Sequence, residues 1–403
     1  MREEMNFTTL PLTPYILNAL KQLQYEKATP IQHAVISQFD NQTDLIALAQ
    51  TGTGKTGSFA IPILDALVRE NSTGIAALIL SPTRELALQI TTYFQKIDFL
   101  HQQSICTLIG GMPIDEQIAA LQQDKKIIVA TPGRLVDLLE RKAINLHTVR
   151  YYVLDEADQM LTLGFKEALE RISAALTTNK KTLLFSATMS KPIQLLCQQI
   201  IPQAETIALQ QAQPVSKDIK QTLYYVQQDY KQLLLLEQLR LLSTEHTAFI
   251  FVKSKVEADR LSDFLNQANQ TNDRLHADRS QHAREEIMAK LHDKSLRLLV
   301  ATDVAARGID LDHVTHVFNY DLPQNTESFV HRIGRTARNG RTGFAITLCD
   351  PSETKALAEV EKLIKQKLPI ISGHTFDNLH LKKAMEKVAK NHKKPAKRFN
   401  RRR

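Results

Sequence analysis

Short apolar runs alternate with longer segments of helical periodicity from residue 44 onward. Each run is followed by turn-forming or polar residues, which is the pattern of a buried strand that ends at a loop. Strands separated by helical segments predict βαβ units, in which helices cover both faces of a mostly parallel sheet. The runs of the first half are DLIALA (44–49), AALILSPT (76–83), SICTLIG (104–110), KKIIVATP (125–132), RYYVLDEAD (150–158) and KTLLFSAT (181–188).

The alternation is interrupted near the middle of the chain and then resumes. Residues 209–220, LQQAQPVSKDIK, are polar, contain a proline and show no periodicity, so they predict a linker. The runs that follow are TAFIFVKS (247–254), DRLHAD (273–278), LRLLVATD (296–303), VTHVFNYD (314–321) and GFAITLCD (343–350). The pattern predicts an α/β protein with an N-terminal segment at 1–34, a first domain at 35–208, a linker at 209–218, a second domain at 219–372 and a tail at 373–403.

The net charge of +8 is concentrated at the C-terminal end of the chain. Residues 381–403 contain eleven Lys or Arg and one acidic residue, a net +10, so the other residues sum to about −2. This segment has almost no large apolar side chain after Val388, and we predict that it is a disordered basic tail. Two interpretations stay open, a solubilising appendage and a segment that contacts nucleic acid or another polyanion.

Composition excludes several other classes of protein. Apolar segments such as KQLLLLEQLRLL are far shorter than the ~20 residues of a membrane-spanning helix, and MREEMNFTTL has no signal-peptide pattern. Cys106, Cys197 and Cys349 lie apart in apolar surroundings without metal-ligand spacing, so we interpret them as core thiols. These features predict a cytoplasmic protein without a membrane partner.

The segment AQTGTGKT (49–56) lies between a predicted strand and a predicted helix, the context of a P-loop. Gly52 and Gly54 would let backbone amides face a phosphate, and the start of the helix would favour negative charge. Lys55 would reach the β- and γ-phosphates, and the Thr56 hydroxyl would ligate Mg²⁺. A simple glycine-rich turn is the weaker interpretation. The other predicted nucleotide contacts are Ala49, Gln50, Thr51 and Thr53.

Three carboxylates follow a core strand in VLDEADQM (153–160). A solvated turn would explain an isolated acidic triplet, but the P-loop supplies a reason to hold a cation nearby. We predict that Asp155 holds Mg²⁺ and that Glu156 orients and deprotonates the attacking water. For Asp158 we predict a structural role, either within its loop or in contact with the SAT segment at 186–188.

The P-loop and the DEAD segment at 155–158 together resemble those of the DEAD-box ATP-dependent RNA helicases of helicase superfamily two. The resemblance extends over residues 5 to 350 as a series of ordered motifs. It implies two RecA-like domains of the P-loop NTPase class that bind ATP, Mg²⁺ and single-stranded RNA. The short N-terminus and basic tail are similar to the bacterial RhlE-type branch, which implies a role in ribosome assembly, RNA turnover or growth in the cold.

The resemblance assigns roles in the first domain. ATPIQ (28–32) resembles the Q motif, in which Gln32 would read the adenine and Phe7 would stack on it. Ala28 and Gln24 depart from the Pro and Gly that are usual in this motif. The SAT residues Ser186 and Thr188 would couple hydrolysis to strand separation. The implied RNA contacts are Arg84 of PTREL, Gly110, Gly111, and Thr131, Gly133 and Arg134 of TPGR.

The resemblance also assigns residues of the second domain. Arg284 and Thr302 would bind RNA phosphates, and Asp310 would contact the ribose of the nucleotide. In HRIGRTAR (331–338), His331 would support catalysis, while Arg335 and Arg338 would reach the γ-phosphate as arginine fingers. Such fingers contribute about 10³–10⁵ in rate in phosphoryl-transfer enzymes. A solvated basic helix face is the alternative for this cluster.

The distribution of these residues predicts a mechanism. Because lysine and carboxylates lie in one half and arginines in the other, hydrolysis should require closure of two domains, favoured by bound RNA. Closure would bend one strand and melt a short duplex locally or remodel an RNA–protein complex. An ATP-gated RNA clamp or annealing factor, a DNA translocase and a P-loop transporter are alternatives, the last two disfavoured by the motif set. We expect a monomeric core that works in ribosomal-precursor or RNA-decay complexes.

Overall fold

The protein consists of two compact units, Met1–Gln211 and Ala212–Arg403. The structure, a computed structural model, describes residues 5–41, 43–49, 52–70, 73–98, 104–208, 217–306, 309, 311, 313–337 and 341–377. Most of the predicted linker (209–216) and most of the predicted tail (378–403) therefore lie outside the described residues. Within the described ranges, no helix combines the length and the apolar character needed to cross a bilayer.

The described part of the first unit is a seven-stranded parallel sheet covered by helices. Its strands are β1 Leu45–Leu48, β2 Ala77–Leu80, β3 Ile105–Leu108, β4 Ile127–Ala130, β5 Tyr151–Leu154, β6 Lys181–Ser186 and β7 Glu205–Ala208, in the order β3-β4-β2-β5-β6-β1-β7. Its helices are α1 Pro14–Gln22, α2 Pro30–Ser37, α3 Lys55–Arg69, α4 Arg84–Ile97, α5 Ile114–Leu121, α6 Pro132–Glu140, α7 Ala157–Thr162, α8 Lys166–Ala174 and α9 Lys191–Ile200. A short 3₁₀ helix, Phe7–Thr9, precedes α1.

The strand order of this sheet separates the predicted motifs into two groups. The P-loop, DEAD and SAT segments follow β1, β5 and β6, which are neighbours in the order β5-β6-β1. The three segments assigned to RNA follow β2, β3 and β4, which are neighbours in the order β3-β4-β2. Because all of these strands are parallel, both groups lie at one edge of the sheet, as expected for ligand sites in open α/β sheets.

The described part of the second unit is a six-stranded sheet, also parallel in its recorded pairings. Its strands are β8 Ile219–Tyr225, β9 Thr247–Val252, β10 Asp273–Leu275, β11 Leu298–Thr302, β12 Val314–Asn319 and β13 Gly343–Cys349, in the order β10-β11-β9-β12-β13-β8. Its helices are α10 Lys231–Arg240, α11 Lys255–Gln267, α12 Gln281–His292, α13 Asp303–Ala306, α14 Thr326–Ile333 and α15 Thr354–Leu363. Two parallel-sheet α/β units confirm the predicted fold class.

Two strands are absent from the predicted set, β7 and β8, and both lie at an edge of their sheet. β7 exposes three of its four residues, so its sequence ETIA contains no apolar run. β8 alternates buried and more exposed positions in IKQTLYY and therefore shows no continuous apolar run either. Edge strands are less buried than central ones, which removes the signal on which the prediction depended.

Each sheet is buried between helices on both faces. In the first unit one core contains Phe59, Phe94 and Phe185, and the opposite core contains Leu135, Tyr152 and Met160. The three cysteines are free and buried, and burial raises their thiol pKa values, as expected for core thiols.

Candidate nucleotide and RNA site

The loop between β1 and α3 has the backbone geometry of a phosphate-binding turn. Gly52 and Gly54 have φ values of 80° and 90°, in the left-handed region that favours glycine. Gly54 is also the N-cap of α3, so Lys55 and Thr56 form the first turn of that helix. The structure thus places the predicted phosphate contacts from Gly52 to Thr56 at a helix N-terminus. Gln50 and Thr51 lie outside the described residues.

Gln32 connects the N-terminal segment to this loop. Its side-chain Nε2 donates to the Gly54 carbonyl at 3.1 Å, and its Oε1 accepts from the Thr29 amide at 2.9 Å. A Cβ atom at Gly54 would lie 2.7 Å from Gln32 Nε2, and one at Gly57 would lie 2.5 Å from it. Glycine at both positions therefore permits the close approach that brings the predicted adenine reader onto the P-loop.

Phe7 does not have the environment that its predicted stacking role requires. Its ring is 3% exposed and belongs to the core of the first unit, and its amide donates to the Glu26 carbonyl. The ring would have to leave that core to stack on a base. Tyr25 is a candidate for this role, since its ring is 38% exposed and stacks on Tyr93 with centroids 6.5 Å apart.

Tyr93 links Tyr25 to the nucleotide loop. A Cβ atom at Gly57 would lie 2.5 Å from the Tyr93 hydroxyl and 2.5 Å from Gln32 Nε2, so the two side chains approach the same point. Tyr25 is a candidate site residue that the sequence reasoning did not select. Tyr25 could have been found from the sequence, because it is an aromatic residue seven positions before Gln32. Nothing in the sequence indicates Tyr93, which belongs to the distant helix α4.

Lys55 and Asp155 are both buried, and each has a charged side-chain atom without a hydrogen-bond partner among the described residues. They are 7% and 2% exposed, and Lys55 Nζ and Asp155 Oδ1 have no hydrogen-bond partner among the described residues. Burial raises the pKa of Asp155 to about 6, while the Lys55 ammonium opposes this shift and the Glu156 carboxylate adds to it. A buried ammonium and carboxylate oxygen left unsatisfied indicate a site completed by a charged ligand.

Glu156 is distinguished by its backbone conformation, whereas Asp158 is fixed by side-chain hydrogen bonds. Glu156 has a φ of 52°, a left-handed conformation that is unfavourable for a residue with a Cβ atom, and it is the N-cap of α7. Asp158 Oδ2 accepts from the Ala187 amide at 3.1 Å and from the Thr188 hydroxyl at 3.4 Å. The predicted contact of Asp158 with the SAT segment is confirmed. Within SAT, the Ser186 hydroxyl donates to the Thr188 carbonyl at 2.7 Å.

The RNA-assigned residues of the first unit also meet. The Arg84 guanidinium lies so close to Gly111 that a Cβ atom there would overlap it, and it also lies beside Gly110. Arg134 donates through Nη1 and Nη2 to the Met112 carbonyl at 3.2 and 3.1 Å. The two arginines therefore lie against consecutive residues of one loop. Thr131, which precedes α6, is buried, and Gly133 lies in the first turn of that helix.

In the second unit, the arginines of the 331–338 segment have distinct environments. Arg332 is 2% exposed, pairs with both oxygens of Asp303 at 2.5 and 2.9 Å, and lies over the Phe251 ring. A solvated basic face is therefore wrong for Arg332. Arg335 donates through Nη1 to the Ile309 carbonyl at 2.8 Å and through Nε to the His331 carbonyl.

A small cavity adjoins these residues and contacts both His331 and Arg335. Its volume is about 10 Å³, close to the lower limit for one water molecule. Arg284 is buried on α12 and donates to the carbonyls of His276 and Ala305 at 3.3 and 3.4 Å, and Thr302 ends β11. The predicted ribose contact Asp310 and the second predicted finger, Arg338, lie outside the described residues.

Comparison with known proteins agrees with this arrangement. The family model for the DEAD/DEAH box helicase matches residues 29–196, and that for the helicase conserved C-terminal domain matches residues 230–340. The DEAD-box ATP-dependent RNA helicase CshA of Geobacillus kaustophilus is 38% identical over 372 residues, which cover 92% of this chain and 79% of the relative. CshA of Bacillus subtilis is 37% identical over 93% of this chain and 75% of its own length.

Solved structures of similar proteins extend the comparison to the fold. Saccharomyces cerevisiae Dbp5 bound to RNA and ADP BeF3 matches with a TM-score of 0.83 and 28% identity, covering 96% of this chain and 99% of that one. Mss116p bound to ssRNA and AMP-PNP also has a TM-score of 0.83 and 28% identity, covering 96% and 83% of the two chains. The fold, the motif geometry and these similarities together show that the chain belongs to the DEAD-box ATP-dependent RNA helicases.

Proposed function

We propose that the protein hydrolyses ATP with Mg²⁺ in an RNA-stimulated reaction and uses it to separate short RNA duplexes. The observation that carries the proposal is the burial of Lys55 Nζ and Asp155 Oδ1, two polar atoms without hydrogen-bond partners among the described residues. A triphosphate would satisfy the ammonium, and a divalent cation would satisfy the carboxylate. A ligand carrying both charges, such as Mg-ATP, supplies what the site lacks.

The residues of the first unit suit this ligand. Asp155 and the Thr56 hydroxyl are oxygen ligands of the kind that Mg²⁺ prefers, and the ion would neutralise charge on the phosphates when bound. Lys55 binds the phosphates from the start of α3, where the helix dipole favours the same anion. Glu156 orients the attacking water and accepts its proton.

Base recognition is proposed for Gln32 and Tyr25 in place of Phe7. Gln32 lies on the P-loop through its bond to Gly54, and Tyr25 offers an exposed ring that stacks on Tyr93. An exposed ring can stack on adenine at no cost in core packing, whereas Phe7 cannot. The preference for adenine would then come from the Gln32 amide, and part of the affinity for the nucleotide would come from stacking on Tyr25.

RNA binding is supported by the cluster that Arg84 and Arg134 form around the loop after β3, and by the RNA in the structures of Dbp5 and Mss116p. Arginines close to glycine backbone suit sequence-independent phosphate contacts. Arg284 and Thr302 are proposed to extend these contacts on the second unit.

Catalysis is proposed to need both units. The positive side chain buried in the ATP site of the first unit is Lys55, and the candidate fingers Arg335 and Arg338 belong to the second. Charge that develops on the γ-phosphoryl group would therefore be neutralised fully only when both units contact one nucleotide. RNA bound to both units would favour that state and raise the hydrolysis rate.

The test is steady-state ATPase activity and duplex separation with and without RNA. Arg335→Ala should lower kcat by about 10³–10⁵-fold with a smaller change in KM. The matched control is Arg141→Ala, since Arg141 is an exposed arginine paired with Asp137. An ATPase rate that is unaffected by saturating RNA would contradict the proposal.

Glu156→Gln separates helicase activity from the alternative, an RNA clamp or annealing factor. This variant should bind RNA and nucleotide but separate no strands over many turnovers. Strand separation equal to that of the wild type would favour the clamp. RNA crosslinked to Glu156→Gln in cells and sequenced would test the proposed substrates, structured RNAs of ribosome assembly, RNA turnover or growth in the cold.

A further inference from the structure

A row of aromatic side chains crosses the second sheet at the end remote from the proposed site. His316 of β12 pairs in register with Phe344 of β13, which pairs in register with Lys220 of β8. The His316 and Phe344 rings stack with centroids 4.8 Å apart and an interplanar angle of 12°. His246, directly before β9, has its ring 4.9 Å from His316. We refer to His246, His316, Phe344 and Lys220 as the aromatic row.

The row becomes more exposed toward the edge strand β8. His316 is 7% exposed, whereas Phe344 is 37% exposed and Lys220 is an exposed residue of that edge strand. The Lys220 ammonium lies 5.7 Å from the centre of the Phe344 ring, close enough for a cation–π contact. The row thus ends in an exposed ring beside a flexible cation.

The exposed end of the row carries the Lys220 charge, whereas the buried His316 is neutral. Burial, with a further contribution from His246, lowers the pKa of His316 to about 4, so its imidazole is neutral at pH 7. The ring nitrogens already contact hydroxyl groups, His316 Nδ1 at 2.9 Å from Thr315 Oγ1 and His246 Nδ1 at 3.3 Å from Ser243 Oγ. The neutral His316 ring therefore supports Phe344 by stacking, and the His246 ring packs against His316.

Basic residues lie close to both ends of the row, in the chain or in space. Lys217 and Arg341 are exposed and lie within three residues of Lys220 and Phe344 in the chain. Arg297 donates to the Ser243 carbonyl at 2.8 Å, which places it beside the His246 end of the row. The acidic residues in the same chain segments are Asp218 and Glu245. With Lys220 included, four positive charges against two negative ones leave a net +2.

The location separates the row from the RNA-assigned motifs. Phe344 and Lys220 are the second residues of β13 and β8, and His316 is the third residue of β12. Thr302, in contrast, is the last residue of β11, in the same parallel sheet. The row and the motif residues therefore lie at opposite ends of the strands, and the proposed ATP and RNA contacts do not account for the row.

We propose that the aromatic row is a second contact site for single-stranded RNA, in which Lys220 turns from the Phe344 ring to an RNA phosphate and an unpaired base stacks on Phe344 in its place. A sheet that presents aromatic rings beside cations is a common platform for unpaired bases, because every base has a face that can stack. A protein partner would need a broader apolar surface without a lysine over its central ring. This inference rests on the proposed RNA binding and extends it to a longer strand.

The test measures binding of the full chain to oligouridylates of about 8 and about 24 nucleotides, lengths that span one and several typical single-strand sites. A non-hydrolysable ATP analogue is present, so that the short RNA occupies the motif site preferentially. Phe344→Ala and Lys220→Glu should each weaken binding of the long RNA about fivefold or more and leave the short RNA within about twofold. Phe344→Tyr should retain wild-type binding.

The matched controls are Lys362→Glu and Val256→Ala, which alter an exposed lysine and an exposed apolar residue on α15 and α11. Long RNA carrying 5-iodouridine should in addition form a photoadduct on the peptide that contains Phe344. Lys220→Glu keeps the test valid if Phe344→Ala fails to fold, because Lys220 is exposed.

The outcomes distinguish this inference from the proposed function. If short RNA stimulates the ATPase of every variant, but long-RNA affinity is unchanged and no adduct forms at Phe344, the inference is overturned and the proposed function stands. A surface that binds a protein would produce this same result. If short RNA fails to stimulate the wild-type enzyme, the proposed function fails first.

Discussion

Four lysines are buried among the residues that the structure describes, and two of them, Lys231 and Lys55, each begin a helix but have different surroundings. Lys231, at the start of α10, is fully buried and donates to the Tyr320 carbonyl at 2.7 Å and to Glu353 Oε2 at 2.6 Å. It also lies 3.4 Å from Asp321 Oδ1. Lys55, at the start of α3, is 7% exposed, and its Nζ has no hydrogen-bond partner among the residues that the structure describes.

The difference indicates which buried charge is structural and which awaits a ligand. A buried ammonium without partners is costly, and its position at a helix N-terminus adds unfavourable dipole energy. A bound anion would offset this cost by pairing with the Lys55 ammonium. Lys231 already contacts the Tyr320 carbonyl and the carboxylates of Asp321 and Glu353. These contacts connect α10 to the segments that follow β12 and β13, and they need no ligand.

The largest expected effect is on stability, at Lys231. Lys231→Met should lower the free energy of unfolding of the second unit by about 3–5 kcal/mol, because the buried Asp321 and the partly exposed Glu353 would both lose their cation. Urea unfolding followed by fluorescence measures the change. Lys362→Met, at an exposed lysine, is the control and should change stability by less than about 0.5 kcal/mol. Equal effects of Lys231→Met and Lys362→Met would show that the contacts of Lys231 do not stabilise the fold.

The second effect is on activity, at Lys55. Lys55→Met should lower kcat of the ATPase by about 10²–10³-fold, because it removes a preorganised cation from the phosphates. Its stability without nucleotide should equal or exceed that of the wild type, since an unpaired buried charge is removed. Activity assays and urea unfolding of the same preparation test both statements. A loss of stability as large as that of Lys231→Met would contradict the interpretation that Lys55 binds a ligand and has no structural role.

A pH titration of nucleotide binding tests Asp155, whose pKa is influenced by the Lys55 ammonium. Because its pKa is raised to about 6, Asp155 is protonated below that pH, and affinity for Mg-ATP should fall about tenfold per pH unit there. Calorimetric titration from pH 5 to about 8 measures this slope. Asp155→Asn removes it and isolates the contribution of the phosphates themselves.

The same shift predicts the sign of a stability change. The folded state binds this proton more tightly than the unfolded state, whose carboxyl titrates near 3.8. The contribution of Asp155 to stability is therefore complete below about pH 4 and is lost as the pH rises through about 6. A nucleotide-free protein that instead gains stability relative to Asp155→Asn over this interval would show that the pKa of Asp155 is not raised.

The smallest expected effect concerns Asp158, which unlike Asp155 has its partners. Asp158→Asn should cost about 0.5–1.5 kcal/mol of stability, since an amide cannot accept from the Gln159 and Ala187 amides through both of its side-chain atoms. A double-mutant cycle with Thr188→Val measures the coupling to the SAT segment. Strand separation per ATP should fall more than ATPase activity. Additive effects of the two substitutions would show that Asp158 and Thr188 are not coupled.

Local patterns predicted most of the fold. The run at 76–83 contains β2 and the run at 247–254 contains β9, since both strands are buried on two faces and are apolar throughout. β7 and β8 escaped prediction because edge strands keep polar positions. For Asp158 the sequence predicts a structural role, within its loop or in contact with SAT, and the contact with SAT is present.

The sequence by itself determined the two α/β units, the P-loop, the order of the motifs and the family, because each is encoded by neighbours along the chain. Only the tertiary structure decided that Phe7 is in the core while Tyr25 is exposed, that Arg332 is interior, and that His316, Phe344 and Lys220 form one row. Those properties depend on residues far apart in sequence. Lys231 and Lys55 illustrate the reason: each is the first residue of a helix, and only distant residues such as Glu353 make one of them structural.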